Sequence, residues 1–379
     1  MLYSPLSIKY ALKMLQEGAD GNTLDEINKA IGNSSLTKYK NIGRTLSLAN
    51  GIFIRDNFYN EVRTEYINTL KEKYDAEIKK DEFKDAKNAN QWIEEKTLGI
   101  IKNMLNDDMV QSKVMLLINA LAIDLEWVTL FDKYQTKEQL FYMDDGRKMK
   151  TAMMTKTVND NDLSYYINKN ITAITMDLKE NNGTQLEFMA IMPNENLSTF
   201  VENVSKAQIN EIDQQLRSAK FEAGGVTLKM PKFKFNYDLK LKQNLIKLGI
   251  KDAFDSDNAN FSKMEYGNIL FVSEALHKAD IEFTEKGAKA AATSIFMLVR
   301  CVPSRPVIIV FDKPFMFIIR NKNTKDIWFT GTLYKPNLWE NEKEYYEKEC
   351  YEKECYNREI TLTVLTAIDL RKNKKCKYM

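Results

Sequence analysis

One histidine and one cysteine of this sequence could be considered as a base and a nucleophile. His277 is the single histidine of the chain, and Cys301 follows Arg300 further along. An imidazole that activates a thiol is normally oriented by a third group, and no nucleophile, base and orienting group stand together in one motif. A single histidine also excludes a His-rich metal site. We therefore expect a protein that is not an enzyme and that holds no metal and no cofactor.

The segment before Cys301 combines small residues with an apolar run. Residues 285–294 read E-K-G-A-K-A-A-A-T-S, and residues 295–299 read I-F-M-L-V. Alanine is the strongest helix former, so a short exposed helix is one interpretation. In a strand, alternate residues face opposite sides, and one face here would carry only small side chains that could slip between existing strands. The small set is Ala288, Ala290, Ala292 and Ser294, and the segment alone leaves both interpretations open.

The composition is that of an ordinary globular protein, and its charge indicates no polyanionic partner. Of 379 residues, 44% are hydrophobic and 11% aromatic. Lysine and arginine number 55 against 53 acidic residues, a net charge of +2, so we expect no nucleic-acid partner. Since no apolar run approaches the roughly 18 residues of a membrane span, we also expect no membrane partner.

The cysteines and the N-terminus bear on the compartment. Cys301, Cys350, Cys355 and Cys376 all lie late in the chain, so no disulfide framework is expected in the body of the fold. The first residues, M-L-Y-S-P-L-S, lack a basic segment leading into an apolar core. Taken as written, the sequence predicts an intracellular protein; a start upstream of this one could hide a secretory signal.

The order of elements predicts one α+β domain. Helical patterns come first, and strand patterns dominate from residue 171 onward. Predicted helices include 8–15, 23–31, 60–74, 88–104 and 239–248; predicted strands include 48–54, 115–125, 171–178, 186–192, 225–230, 233–237, 269–273, 279–283, 307–311, 315–319 and 327–333. This order favours a single domain over 1–337 rather than alternating βαβ units.

Residues 338–379 form a tail of different composition. It carries two copies of Y-E-K-E-C, at 346–350 and 351–355, which predict a solvated helix or a disordered segment rather than a metal site. The apolar residues 360–368 near its end have no interpretation from composition alone.

Several motifs in this order carry a family resemblance. They are Y-S-P-L-S-I at 3–8, Asn119 with Trp127, M-P-N-E at 192–195, M-P-K-F at 230–233, F-S-K-M at 261–264, A-L-H-K-A at 275–279, K-P-F at 313–315 and F-T-G at 329–331. From Leu2 to Pro336 the chain resembles the serpin superfamily. The resemblance implies a single α+β serpin domain with a large central mixed β-sheet, two further sheets, about eight helices and an exposed reactive loop at about 285–306.

Two departures from the family pattern affect the partners. The family has a further helix before the Y-S-P-L-S-I motif, and this sequence starts almost at that motif. The segment between the predicted helix 23–31 and residue 48 is short. Its only basic residues are Lys38, Lys40 and Arg44, so we expect no strong heparin site. We expect a monomer whose partner is a target protease.

The resemblance also implies inhibition by a suicide-substrate mechanism. A protease cuts the reactive loop and becomes acylated, and the cut loop then inserts into the main sheet as a new strand; serpins are a recognised example of strand addition. The implied hinge consists of Glu285, Gly287, Ala288, Ala290, Ala291, Ala292 and Thr293. Glycine gives the loop a pivot, and small residues fit the sheet after cleavage.

The residue cut by the protease is less well defined than the hinge. Counting from Glu285 at the family's usual spacing places the scissile bond between Cys301 and Val302, while a loop shorter by one residue places it after Arg300. Arg300 favours a trypsin-like serine protease, whose specificity pocket ends in a carboxylate. Other candidates for the residue before the scissile bond are Arg305, Phe296 and Leu298. Two alternative functions stay open, an inhibitor of papain-like cysteine proteases and a non-inhibitory binding protein of the same fold.

The remaining implied site residues would control how the sheet opens. In the family, the residue matching His277 lies beneath the opening sheet in a polar cluster, here with Asn119, Ser4 and Ser7. A neutral histidine with hydrogen bonds on both ring nitrogens suits a buried gate. Trp127 would pack where the loop first enters, although an ordinary core tryptophan is an alternative.

Overall fold

The computed structural model describes residues 1–32, 36–37, 39, 46–158, 162–218, 225–267, 269–287 and 307–341. The predicted hinge residues from Ala288 to Thr293 lie outside these ranges. So do the predicted scissile-bond candidates Arg300, Cys301 and Val302, the other candidates Phe296, Leu298 and Arg305, and the tail from residue 342 onward.

Eight α-helices occur in the described ranges. They are α1 (Pro5–Gly18), α2 (Gly21–Ile31), α3 (Thr64–Tyr74), α4 (Lys87–Lys96), α5 (Asp107–Gln111), α6 (Leu197–Asn203), α7 (Lys206–Ser218) and α8 (Lys242–Lys247), with 3₁₀ turns at Asp56–Glu61, Asp252–Phe254 and Trp339–Asn341. Helix α1 begins at Pro5, and the Ser4 side chain accepts a hydrogen bond from the Ser7 amide at 3.1 Å. Proline at the first helical position and serine at the N-cap are the preferred residues there.

Fifteen strands occur in the same ranges. They are β1 (Leu2–Tyr3), β2 (Leu46–Arg55), β3 (Glu77–Asp81), β4 (Met115–Ile123), β5 (Asp132–Tyr142), β6 (Lys148–Val158), β7 (Leu163–Ile167), β8 (Ile171–Asp177), β9 (Leu186–Pro193), β10 (Val226–Pro231), β11 (Phe233–Lys240), β12 (Leu276–Phe283), β13 (Val307–Val310), β14 (Phe315–Asn321) and β15 (Ile327–Leu333). No helix within the described ranges has the length and apolarity needed to cross a bilayer.

The strands form four sheets. The largest has the order β1-β15-β14-β9-β8-β7 and is antiparallel throughout. Mixed pairing lies in the sheets β13-β10-β6-β5 and β3-β2-β4, and β11 pairs with β12 alone. A large sheet with further sheets and helices confirms the predicted α+β class.

Three sequence predictions of element boundaries were wrong. The helix predicted over 88–104 ends at Lys96, because Leu98 and Gly99 adopt positive φ values of 59° and 74°. The helix predicted over 239–248 is shortened to α8, because β11 extends to Lys240 in its ladder with β12. Residues 269–273, predicted as a strand, are not paired with any described strand.

Apolar side chains cover both faces of β4. Leu121 belongs to the main core, which also contains Leu6 and Leu12 of α1. The neighbouring residues Ile118 and Ala120 belong to a second cluster with Trp92 of α4. Because successive strand residues face opposite sides, β4 is buried between α1 on one face and α4 on the other.

A buried ion network ties α7 to the largest sheet. The Glu187 carboxylate of β9 accepts from Arg320 Nε at 2.7 Å and from an Arg217 guanidinium nitrogen at 2.8 Å. Asp213 of α7 completes the network by bonding both arginines. The Glu187 and Arg320 side chains are only 3% and 6% exposed, so their charges compensate each other in a place that water does not reach.

Candidate functional site

Strands β4 and β12 run in the same direction with a gap between them. At one level, Asn119 of β4 and His277 of β12 line the same cavity. Further along both strands, the Trp127 ring stacks on Phe283 with centroids 5.8 Å apart. The Trp127 indole also donates a hydrogen bond to the Thr284 carbonyl at 3.1 Å. No ladder joins β4 to β12 over the residues that the structure describes.

The gap, which we call the slot, is a large cavity with mainly apolar walls. Its volume is about 690 Å³. Apolar residues from three elements line it: Ile8, Leu12 and Leu15 of α1, Leu117 and Leu121 of β4, and Leu276 of β12. A strand edge that faces such a gap leaves backbone N–H and C=O groups available for another strand. The slot can therefore accept a strand with apolar or small side chains.

His277 is buried at the start of the slot and is neutral. Its Nε2 accepts a hydrogen bond from the Ser4 backbone amide at 2.9 Å, so the neutral ring carries its proton on Nδ1. Burial lowers the pKa of His277 from 6.5 to about 4. Ser4 and Ser7 are buried beside it, and all three line the slot. The ring joins the N-terminus of α1 to β12.

Asn119 lies in the same cavity but does not bond His277. Its Nδ2 donates to Asn50 Oδ1 at 2.7 Å, and Asn50 Nδ2 donates to the Tyr74 carbonyl at 2.7 Å. Asn119 Oδ1 is buried and has no hydrogen-bond partner among the described residues. The structure thus gathers the four predicted residues of this cluster around one cavity, and it adds Asn50, which the sequence analysis missed. A single polar residue in the apolar strand 48–54 was the available signal.

The residues at the far end of β12 are held firmly against the segment after β4. The Lys286 carbonyl accepts from the Trp127 amide at 2.8 Å, and the Glu285 carbonyl accepts from the Phe131 amide at 2.8 Å. The Glu285 carboxylate is buried and accepts from Thr136 Oγ1 at 2.8 Å. Glu285, predicted as a hinge residue, is therefore anchored at the mouth of the slot.

Gly287 reverses the chain and lies between the two strands. Its amide donates to the Thr284 carbonyl at 3.2 Å, and its carbonyl accepts from the Thr284 amide at 3.0 Å. Gly287 forms antiparallel bridges both to Thr284, which follows β12, and to Glu126, which follows β4. Gly287 therefore lies between the two segments and is antiparallel to both.

Only glycine fits at position 287. Its φ is +135°, and a Cβ placed there would lie 2.3 Å from the Leu125 carbonyl oxygen. That separation is far below van der Waals contact, and the conformation itself disfavours an L side chain. The close approach of two backbones explains a glycine at the pivot.

Trp127 is completely buried at the mouth of the slot. Its ring contacts Phe188 and Phe131 edge-on at centroid distances of 5.5 and 6.2 Å, in addition to the stack on Phe283. The Lys156 ammonium lies 5.8 Å from its centroid. The structure places Trp127 between the slot and the aromatic core, where it contacts both flanking segments.

The sheets, the slot between β4 and β12 and the bridged Gly287 agree with the predicted serpin fold, and comparison with known proteins shows the family. The family model described as "Serpin (serine protease inhibitor)" matches residues 1–336. The chain belongs to the serpin family.

Named relatives and solved structures cover most of the chain. Glia-derived nexin from Rattus norvegicus is 30% identical, over 89% of this chain and 87% of the relative. Leukocyte elastase inhibitor from Xenopus tropicalis is 27% identical, over 89% and 93%. The native state of the thermophilic serpin tengpin superimposes with a TM-score of 0.75 and 29% identity, covering 88% of each chain. Thyroxine-binding globulin in complex with thyroxine superimposes with a TM-score of 0.73 and 25% identity. The match covers 89% of this chain and 93% of the globulin.

Proposed function

We propose that this protein inhibits a protease by acting as a suicide substrate. The protease's nucleophile attacks the carbonyl carbon of the residue before the scissile bond, the amine of the following residue leaves, and an acyl-enzyme forms. The freed loop then enters the slot as a strand before water can hydrolyse the ester or thioester. All catalytic groups in this scheme belong to the protease.

The observation that carries the proposal is the position of Gly287. It is already bridged to Glu126 on one side and to Thr284 on the other. The residues that follow need only continue in the same direction to pair with both β4 and β12. A loop that starts between two unpaired strand edges is placed to add a strand there, which supports the proposal.

Insertion gains free energy because it pairs edges that are open beforehand. Strand β4 has 9 residues and β12 has 8. A net gain of about 1 kcal/mol per hydrogen bond gives on the order of 10 kcal/mol for a strand of this length paired on both sides. The apolar slot walls add burial of the inserted side chains.

The sequence of the loop is compatible with such a strand. Alternate small residues would face one wall of the slot, namely Ala288, Ala290 and Ala292. Lys289 falls on the opposite face, where its ammonium can reach water along its flexible stem. The hinge composition therefore supports an inhibitor over a non-inhibitory binding protein.

The proposed target is a trypsin-like serine protease. Arg300 supplies a guanidinium that pairs with the acidic base of the specificity pocket in such enzymes. Cys301 before Val302 is the second candidate, and a papain-like cysteine protease is the alternative target. The proposed partner is thus a protease that binds residues 285–306 as a substrate.

One incubation tests the proposal. The protein is mixed with trypsin and with papain, and each mixture is separated by denaturing electrophoresis. We expect a band at the mass of trypsin plus the inhibitor without its released C-terminal fragment, and no such band with trypsin whose catalytic serine is blocked. Mass spectrometry of the released C-terminal fragment identifies the scissile bond. Clean loop cleavage by both proteases without any covalent band would overturn the proposal in favour of a non-inhibitory serpin.

A further inference from the structure

The apolar segment near the C-terminus has the pattern of a strand. Residues 360–368, which lie outside the described ranges, read I-T-L-T-V-L-T-A-I. In extended form one face would carry Ile360, Leu362, Val364, Thr366 and Ile368, and the other Thr361, Thr363, Leu365 and Ala367. This segment is free of charge, glycine and proline, and it is rich in β-branched residues, which are enriched in strands.

The slot offers what such a strand needs. Its walls are apolar on both sides, because α1 covers one face of β4 and α4 the other. Asn119 Oδ1 is buried in the slot without a partner within the described part of the chain. For His277, the hydrogen bond found among the same residues is the one that Nε2 accepts, which leaves its Nδ1–H as a second group that a partner could bind. A hydroxyl group can donate to the first and accept from the second, so one threonine would satisfy both.

The segment and the strands that line the slot share a separation of six residues between an apolar and a polar position. His277 lies six positions before Phe283 on β12, and Asn119 lies six positions before Leu125 after β4. Thr366 lies six positions after Ile360. An antiparallel strand with Ile360 beside the apolar mouth at Phe283 therefore places Thr366 at the level of these two polar groups.

The chain passes near the mouth of the slot before the tail begins. The Asn337 amide donates to the Lys232 carbonyl at 3.4 Å, and Asn337 Oδ1 accepts from the Lys234 amide at 3.1 Å. Strand β11 begins there, with Phe233 paired to Phe283 of β12. The mouth is thus about two strand spacings, or roughly 10 Å, from Asn337. The described chain then runs on along β6, where Leu338 bridges Thr151, and ends at Asn341. The intervening residues 342–359 number about 18 and span up to ~60 Å when extended, which is ample.

We propose that residues 360–368 occupy the slot as an antiparallel strand and compete there with the reactive loop. The inference rests on the proposed function in one respect, that the slot accepts a strand. With the tail strand in place, the loop can advance no further than Gly287. While the tail is in place, a protease can therefore cut the reactive loop, but the cut loop cannot insert and the protease is not trapped.

Hydrogen–deuterium exchange on the full chain tests the placement without any protease. We expect the amides of 360–368 to exchange at least roughly tenfold more slowly than an unstructured chain. The variant Leu362→Asp with Val364→Asp puts two charges on the apolar face, and we expect it to abolish that protection and to speed exchange in Met115–Ile123 and Leu276–Phe283. The matched control, Tyr356→Asp with Asn357→Asp, adds the same charge just before the segment and should retain most of the protection.

Complex formation with trypsin is the second measurement. If the tail competes, the L362D/V364D variant should give a several-fold larger share of covalent complex than the wild type, and Y356D/N357D should not. Coil-like exchange of 360–368 in the wild type would overturn the inference, and so would protection of β4 and β12 that both variants leave unchanged. Tail protection lost only in L362D/V364D, with no complex from any variant, would support the tail's placement and count against the proposed inhibition instead.

Discussion

The backbone amide of Ser4 donates a hydrogen bond to Nε2 of His277 at 2.9 Å, although 273 positions separate the two residues in the sequence. This bond ties the N-terminus of α1 to the strand that forms one wall of the slot. Nε2 can accept it only while the imidazole is neutral. Acid should therefore weaken the connection between α1 and β12.

The first prediction concerns stability in acid. Burial lowers the pKa of His277 from 6.5 to about 4, so the unfolded state takes up the proton first as the pH falls. The contribution of neutral His277 to the free energy of unfolding is complete above about pH 6.5. It is lost progressively as the pH falls to about 4, by up to about 3 kcal/mol. Urea unfolding at intervals between about pH 7 and pH 4 measures the slope.

His277→Gln is the control for that slope. Glutamine can accept the Ser4 hydrogen bond and does not titrate, so the variant should show a flatter dependence between pH 6.5 and pH 4, the interval set by the wild-type histidine. An equally steep dependence in the variant would assign the acid sensitivity to carboxylates instead.

The second prediction concerns Gly287. Gly287→Ala places a Cβ against the Leu125 carbonyl oxygen, so the residue must leave its position between the strands. We expect a loss of about 1–3 kcal/mol and faster exchange of the Trp127 and Phe131 amides, which bond Lys286 and Glu285. Gly249→Ala is the matched control, since its φ is +102° but no atom lies within 4 Å of the added Cβ. Equal effects from both variants would show that backbone strain alone, and not the close approach, is responsible.

The third prediction concerns the residue that follows the pivot. Ala288→Arg puts a charge on the first side chain that must enter the slot. A charge buried among apolar walls without a partner opposes insertion strongly, so we expect cleavage by trypsin to continue while the yield of covalent complex falls by roughly tenfold or more. Lys289→Arg keeps the charge on the opposite face and should leave the yield unchanged. Undiminished complex formation by Ala288→Arg would count against loop insertion.

The fourth prediction concerns the ion network under α7. Arg320→Met removes the guanidinium nearest to Glu187 and leaves that buried carboxylate with Arg217 at 2.8 Å and Lys325 at 3.5 Å. We expect the free energy of unfolding in urea to fall by about 1–3 kcal/mol, the cost of losing one charged hydrogen-bond partner in a buried site. Lys150→Met removes an exposed ion pair with Glu138 and should cost less than about 1 kcal/mol. Similar values for the two variants would mean that water reaches the network.

The sequence predicted the elements whose pattern is local and left out those whose register depends on distant partners. Strands 171–178 and 186–192 are close to β8 and β9 because apolar and β-branched residues dominate both segments. Strand β5 was not predicted, since its exposed, mostly polar residues pair with the far more buried β6. Residues 269–273 line the cavity without pairing in a described sheet, and Ile269 and Phe271 are largely exposed, so their apolar character was a misleading strand signal.

For the candidate site, the sequence indicated which residues lie near one another but not which of them form hydrogen bonds. Motif order located His277, Asn119, Ser4 and Ser7, which do meet around one cavity. It did not indicate that Asn119 bonds Asn50, because that contact depends on the register between β2 and β4, where the two asparagines are direct partners. The chain reversal at Gly287 was equally hidden, since it depends on the backbone of Leu125 and Glu126.

The double bridge of Gly287 has a kinetic consequence. Forming the first pair between distant segments is the slow step of sheet growth, because chain entropy is lost before any hydrogen bond compensates for it. In this structure Gly287 is bridged on both sides, to Glu126 and to Thr284. Under the proposed mechanism, a strand growing from Gly287 would therefore start from a pair that is already formed, and each further residue would add hydrogen bonds as it is fixed. Insertion would then omit the slow first step and could compete with hydrolysis of the acyl-enzyme.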